Sequence, residues 1–281
     1  MRKRLKERLA AHGAAEQNQI YSAFDIVGAV AIIKTPHNSL KAAQTAAKQI
    51  MATHRSVKTV LAQTSGVGGG FRTRKLMLVA GENKTAAKYT EAGCVFNVDL
   101  ERCYFSPRLM FERKRIAHLV GDGETVVNMF AGVGCFSVVI AKTVASAKVY
   151  SIDVNPAAYE CMLQNVKTNR VFGKVFPLLG DAKEIIQTQL QGVADRVLMP
   201  LPELALQYLP AAVSALKNAG GWIHYYGFEH AVGDEDPVEK SKLKVAEKLV
   251  GMGVCFVFGF GRVVRSTGPN WYQTAVDVHV S

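Results

Sequence analysis

The chain has 281 residues, 49% of them hydrophobic, enough for one large domain or two smaller ones around a substantial core, which excludes a disordered polypeptide. Its five cysteines are odd in number and never spaced as CxxC, which excludes a disulfide framework or a structural zinc site and fits a reducing cytosol; no apolar run is long enough to span a membrane. The net charge of +11 is unevenly placed, with 20 Lys and Arg against 10 Asp and Glu in residues 1–125 but 14 against 13 in residues 126–281, so a polyanionic partner is expected at the first half.

Residues 1–20, opening MRKRLKERLA, read as a basic N-terminal arm. Residues 21–36 carry an apolar run ending at Lys34 and Pro36, the pattern of a buried strand closed by a turn. A helix is predicted over 39–52, with Ser39 as N-cap and Leu40, Ala43, Ala47 and Ile50 on one face. Val57–Ala62, the segment FRTRKLMLVAGE after a glycine-rich turn, and Cys94–Asp99 complete the expected strands. Residues 21–105 are thus expected to form a small, basic α+β domain that grips the polyanionic partner.

From residue 106 the rhythm changes. SPRLMFERKRIAHLV reads as a helix beginning after Pro107, and strands and helices then alternate: Thr125–Met129, Cys135–Thr143, Lys148–Asp153, Pro156–Asn169, VFPLL, a short helix near Glu184–Leu190, RVLMP and Glu203–Lys217. Such alternation predicts an α/β domain over 106–281 with a mostly parallel sheet. WIHYYGF, VCFVFGF and TAVDVHV break it with a single helix between them, so an antiparallel edge is expected.

The strand 125–129 runs into Phe130-Ala131-Gly132-Val133-Gly134 and a helix, a turn in which glycine lets the backbone approach a ligand at a helix N-terminus. Ser137 stands where a dinucleotide fingerprint needs its third glycine. Asp153 ends the next strand, placed for two ribose hydroxyls, and Gly180-Asp181-Ala182 follows the third, where an acid can meet an adenine amino group; either acid could instead be an ordinary helix cap. Three such loops on one sheet edge point to a nucleoside-containing cofactor.

In this order FAGVG, SIDVNP, GDA and DRVLMPLP resemble the class I S-adenosylmethionine methyltransferases. With YFSPRLMFERKRI upstream, the chain from about Phe24 onward is similar to the archaeal and eukaryotic tRNA (guanine-37-N1)-methyltransferase family. The resemblance implies a Rossmann-like methyltransferase domain behind a small α+β domain, and methyl transfer to N1 of guanosine 37, next to the anticodon. It implies S-adenosylmethionine held by Phe130, Ala131, Gly132, Val133, Gly134, Asp153, Val154, Asp181, Ala182, Pro200, Leu201 and Pro202. A cytoplasmic monomer acting on the tRNA anticodon arm without a metal ion is expected.

Guanine N1 carries a proton near neutral pH, so its methylation needs a general base, and charge then develops on O6. The resemblance assigns Glu112 as that base, Arg72 as the O6 contact and Tyr104 as an aromatic neighbour of the base; Arg74, Arg108 and Pro200 complete the expected substrate contacts. Without the motif, Glu112 reads as a salt-bridged helix glutamate beside Arg113 and Arg115, and Tyr104 as a core tyrosine. The chain departs from the family at Pro200, where an asparagine is usual, and at Asn128, where an aspartate is usual and whose lost charge would weaken cofactor contacts. About twenty residues precede FDIVG, so an additional N-terminal domain found in the family is not expected. Competing readings are an aminocarboxypropyl or methyl transferase of wyosine biosynthesis acting on the same tRNA position, and a non-catalytic tRNA-binding relative.

Overall fold

The apolar run after Phe24 is bent into a hairpin instead of forming one strand. Strands β1 (Asp25–Val27) and β2 (Val30–Lys34) pair antiparallel around Gly28, whose φ is +58°. A Cβ at Gly28 would sit 2.1 Å from the Lys88 carbonyl oxygen, so only glycine fits this turn. The computed structural model describes residues 24–34 and 39–281; the basic arm read at residues 1–20 and the Pro36 turn lie outside them.

Helix α1 (Leu40–Thr53) is capped by the Ser39 side chain and buries Ala42, Ala43, Ala46, Ala47 and Ile50, while Leu40 points outward. It crosses from β2 to β3 (Thr59–Gln63), which lie parallel, and β4 (Leu76–Gly81) adds an antiparallel edge, giving the order β1-β2-β3-β4. Small alanines let the helix lie close on Ala31, Ile33, Val60 and Ala62. The strand missed by the sequence reading is β5 (Ala86–Glu91), whose AAKYTE shows little apolar alternation. It pairs with β6 (Cys94–Asp99) through Ala92-Gly93, both at positive φ, as a two-residue hairpin turn of the mirror-image type requires. The chain divides into two compact units between Arg108 and Leu109.

The second unit starts with the last residue of a 3₁₀ turn (Pro107–Leu109) and α2 (Met110–Leu119). Then follow β7 (Thr125–Asn128), α3 (Cys135–Thr143), β8 (Lys148–Asp153), α4 (Pro156–Thr168), β9 (Val175–Leu179) and α5 (Ala182–Ile185), the last continued by a π-helical turn through Leu190. β10 (Arg196–Met199), α6 (Ala205–Ala215), β11 (Gly221–His230), α7 (Pro237–Val250), β12 (Phe256–Gly268) and β13 (Trp271–Val280) complete it. The sheet order is β12-β13-β11-β10-β7-β8-β9, parallel from β11 to β9 and antiparallel at the β13 and β12 edge. The strand order reverses between β7 and β10, which makes the carboxyl end of β7 the place where an open α/β sheet accepts a ligand. No helix among the described residues is long and apolar enough to cross a membrane.

Candidate active site

At the carboxyl end of β7 the chain turns through Gly132 and Gly134, at φ +57° and +86°, into α3. Gly134 is the N-cap of that helix and has no side chain to satisfy its first amides, leaving a cradle of donors at a helix N-terminus. The loop is tied to its neighbour: Asp153 Oδ2 accepts from the Gly132 amide at 2.6 Å and Oδ1 from the Asn155 amide at 2.9 Å. Burial pushes the Asp153 carboxyl above its usual value, and the two amides oppose that. Val154 beside it is exposed.

Asp181 caps α5 by accepting from the Lys183 amide, and its second oxygen accepts from the Tyr208 hydroxyl. Tyr208, whose phenol is raised to about 12 by burial and by Asp181, also meets Phe130 edge-on and carries Lys183 over its ring at 4.2 Å. Ala182 and Pro202 are buried, Pro200 and Leu201 partly so, and the Leu201 carbonyl starts α6 by accepting from Leu204 and Ala205. Asn128 is buried and donates to Ser137, which also accepts from Ser151. The amide thus belongs to a neutral polar cluster inside the sheet, where an aspartate would bury a charge. The residues fit an adenosine-containing cofactor: a glycine turn, a helix N-terminus and two acids follow successive strands of one sheet edge.

Glu112 lies in the first turn of α2 and is 1% exposed. Its Oε2 accepts from Arg115 Nε and from the Tyr226 hydroxyl, each at 3.0 Å, while its buried Oε1 has no hydrogen-bond partner among the described residues. Arg262 Nη1 stands 3.5 Å from that oxygen, with its guanidinium over the Phe111 ring. Burial and the Glu112 charge hold the Tyr226 phenol well above its usual value, so it stays a donor. The Tyr226 ring in turn packs against Phe136 of α3, 6.2 Å between centroids, linking Glu112 to the helix that opens at the glycine turn.

Behind Glu112 runs a chain of buried charges that the sequence reading missed. Arg115 places Nη1 and Nη2 on Asp277 at 2.5 and 3.1 Å, and Asp277 Oδ1 also accepts from His224 Nδ1 at 2.6 Å. His224 Nε2 faces Arg196 Nη1 at 2.7 Å, and Arg196 is held by Glu124 and the Leu119 carbonyl. A guanidinium only donates, so His224 Nε2 accepts and its proton sits on Nδ1: the imidazole is neutral. Burial lowers the His224 value, Arg196 and Arg115 add to this, and Asp277 opposes it. Burial would raise Asp277, but His224 and Arg115 outweigh it and hold the carboxyl at about 2. A signal for these residues existed: His224 and Asp277 are polar residues in the middle of the apolar strands WIHYYGF and TAVDVHV.

In the first unit, the Arg72 guanidinium lies over the Tyr104 ring at 4.2 Å, and Arg72 has φ +53°, a strained value for a residue other than glycine. Arg74 donates to Gln63 Oε1 at 3.4 Å; burial and Arg108 lower its guanidinium value against Asp25 and Tyr104. Arg108 Nε donates to Asp25 at 2.8 Å, and its half-exposed side chain remains open to solvent. This unit therefore sets Arg72 on Tyr104 and places Arg74 and Arg108 beside Asp25, and in the second Glu112 is joined through Tyr226 to the helix that opens at the glycine turn.

Residues 87–254 match the TRM5/TYW2 methyltransferase domain and residues 1–85 the TYW2 N-terminal domain. The chain is 39% identical to the tRNA (guanine(37)-N(1))-methyltransferase Trm5b of Pyrococcus abyssi, over 92% of this chain and 75% of that protein. It is 35% identical to the tRNA 4-demethylwyosine(37)-methyltransferase Taw21 of Saccharolobus solfataricus, over 94% of this chain and 95% of that one. The solved complex of aTrm5 and tRNALeu superposes with a TM-score of 0.84 at 30% identity, covering 99% of this chain and 78% of the other. With family models matching residues 1–85 and 87–254 and these relatives aligning over most of its length, the chain belongs to the TRM5/TYW2 family of methyltransferases.

Proposed function

We propose that the chain transfers a methyl group from S-adenosylmethionine to N1 of guanosine 37 in tRNA. The observation that carries the reading is the Glu112 carboxylate, buried, held on one oxygen and without a hydrogen-bond partner on the other. A buried carboxylate oxygen without a hydrogen bond is costly and belongs where a substrate proton arrives. S-adenosylmethionine, when bound, supplies a methyl group on a sulfonium sulfur, a leaving group that needs no metal ion. The glycine turn at Gly132 and Gly134 would cradle the cofactor, with Asp153 placed to accept from its ribose hydroxyls and Asp181 from its adenine. Glu112 Oε1 takes the N1 proton as N1 becomes the nucleophile. Arg72 meets the charge developing on O6, and Tyr104 packs beside the base. Arg74 and Arg108 grip phosphate on the anticodon arm, and the enzyme works as a monomer.

A second reading is favoured by one residue. Pro200 has no side-chain hydrogen bond to offer, whereas a guanine presents an amino group that wants one. In 4-demethylwyosine the N1 and amino nitrogens are tied into a third ring, so that demand disappears, and the Taw21 relative aligns over 94% of this chain. The test is incubation with tRNA bearing guanosine 37 and, separately, 4-demethylwyosine 37, using labelled S-adenosylmethionine and nucleoside analysis by mass spectrometry. N1-methylguanosine from the first substrate is the expected product. Label entering only the second establishes the wyosine reading, and a transferred aminocarboxypropyl group or no transfer at all overturns both.

A further inference from the structure

We propose that Asp277 is a positioning residue for the Glu112 carboxylate, acting through Arg115. The inference rests on Glu112 being the base. Arg115 connects two carboxylates by different edges of one planar group, Nε to Glu112 Oε2 and the Nη pair to both oxygens of Asp277. An arginine beside a single carboxylate prefers the two-pronged pairing that occupies both oxygens. Asp277 takes that pairing here. Glu112 is left with one N–H from Arg115, and Oε1 is kept out of the arginine's grip.

The sheet fixes this division. His224 and Asp277 are register partners on β11 and β13, and Tyr226, two residues on from His224, projects from the same sheet face. Asp277 cannot follow Arg115 toward Glu112, because His224 Nδ1 holds it from the far side and Arg196 holds His224 in the one tautomer that donates there. Tyr226 steadies Oε2 from a third direction. Charge alternates along the relay, Glu112, Arg115, Asp277, Arg196, Glu124, so the buried groups compensate one another, as burial demands. A chain serving only to bind α2 to the sheet would gain from closing the pair on both Glu112 oxygens. This one leaves Oε1 without a hydrogen bond, met only by the looser ion pair with Arg262 Nη1 at 3.5 Å.

Asp277→Asn keeps the shape and removes the charge that holds the Nη edge. Arg115 is then free to turn onto both oxygens of Glu112. With full-length protein and a tRNA transcript carrying guanosine 37, the single-turnover methylation rate is expected to fall at least about tenfold, while tRNA and S-adenosylmethionine affinities stay within about twofold. Glu112→Gln alone is expected to lower the same rate about a hundredfold or more. Adding Asp277→Asn to Glu112→Gln should lower it no further, since the carboxylate being positioned is gone. If Asp277→Asn does not fold, as judged by its melting temperature and cofactor binding, Arg115→Lys takes its place. An ammonium cannot span two carboxylates with separate edges, and the same rate loss and the same absence of further loss in Glu112→Gln are expected. An Asp277→Asn rate within twofold of wild type, or an equal loss in the presence and absence of Glu112→Gln, overturns the proposal. A Glu112→Gln enzyme as fast as wild type removes the base assignment, and the proposal falls with it. A slow Glu112→Gln beside a normal Asp277→Asn removes the proposal alone.

Discussion

His224 is the residue whose protonation the fold constrains most visibly. Its value is lowered by burial, so below about pH 6.5 the unfolded chain binds a proton there that the native chain refuses. Stability from this source is therefore present above about pH 6.5 and lost as pH falls toward the lowered native value, with a slope approaching 1.4 kcal/mol per pH unit, roughly one proton. Asp277, held at about 2, loses its contribution only in strong acid, so between pH 6.5 and 5 the relay responds through His224. Urea titrations across pH 7.5 to 5 should show wild-type stability falling more steeply than that of His224→Gln; parallel curves would mean that the imidazole is not kept neutral. Of the relay, the sequence assigns a role to Glu112 alone, through its resemblance to the family motif. Arg115 reads there only as a helical neighbour. Tyr226, Asp277 and His224 come from strands separated along the chain, and only the β11–β13 register shows that they meet.

Elements were legible where periodicity and punctuation agreed. Helix α3, strand β8 and strand β6 fall at their expected bounds because Gly134 opens the first and Asp153 and Asp99 close the other two. The β5 strand was invisible because a separate two-stranded hairpin facing water on one side needs few apolar residues, and the β1–β2 hairpin was read as one strand because a single glycine carries the turn. That glycine gives a sharp test. Gly28→Ala places a methyl carbon against the Lys88 carbonyl and forces a left-handed backbone, at an expected cost of at least about 2 kcal/mol. Thermal unfolding of the variant measures it, and a melting temperature within a degree of wild type would mean that the hairpin bends elsewhere.

For the whole molecule, charge and chemistry are separated along the chain: residues 1–125 carry the basic excess, and residues 126–281 are nearly neutral. If that excess grips phosphate, tRNA affinity should fall steeply as salt rises from 50 to 200 mM, on the order of tenfold for each pair of phosphate contacts released. A filter-binding series in which affinity barely changes would mean that the excess lysines and arginines only solvate the surface. The relay behind Glu112 answers to different physics. Its charges are paired at hydrogen-bond distance beneath the surface, where mobile ions do not penetrate and the Debye length has little meaning. Ionic strength should therefore act as a clutch: it disengages the enzyme from its RNA while the relay proposed to move the proton, once engaged, turns at the same rate.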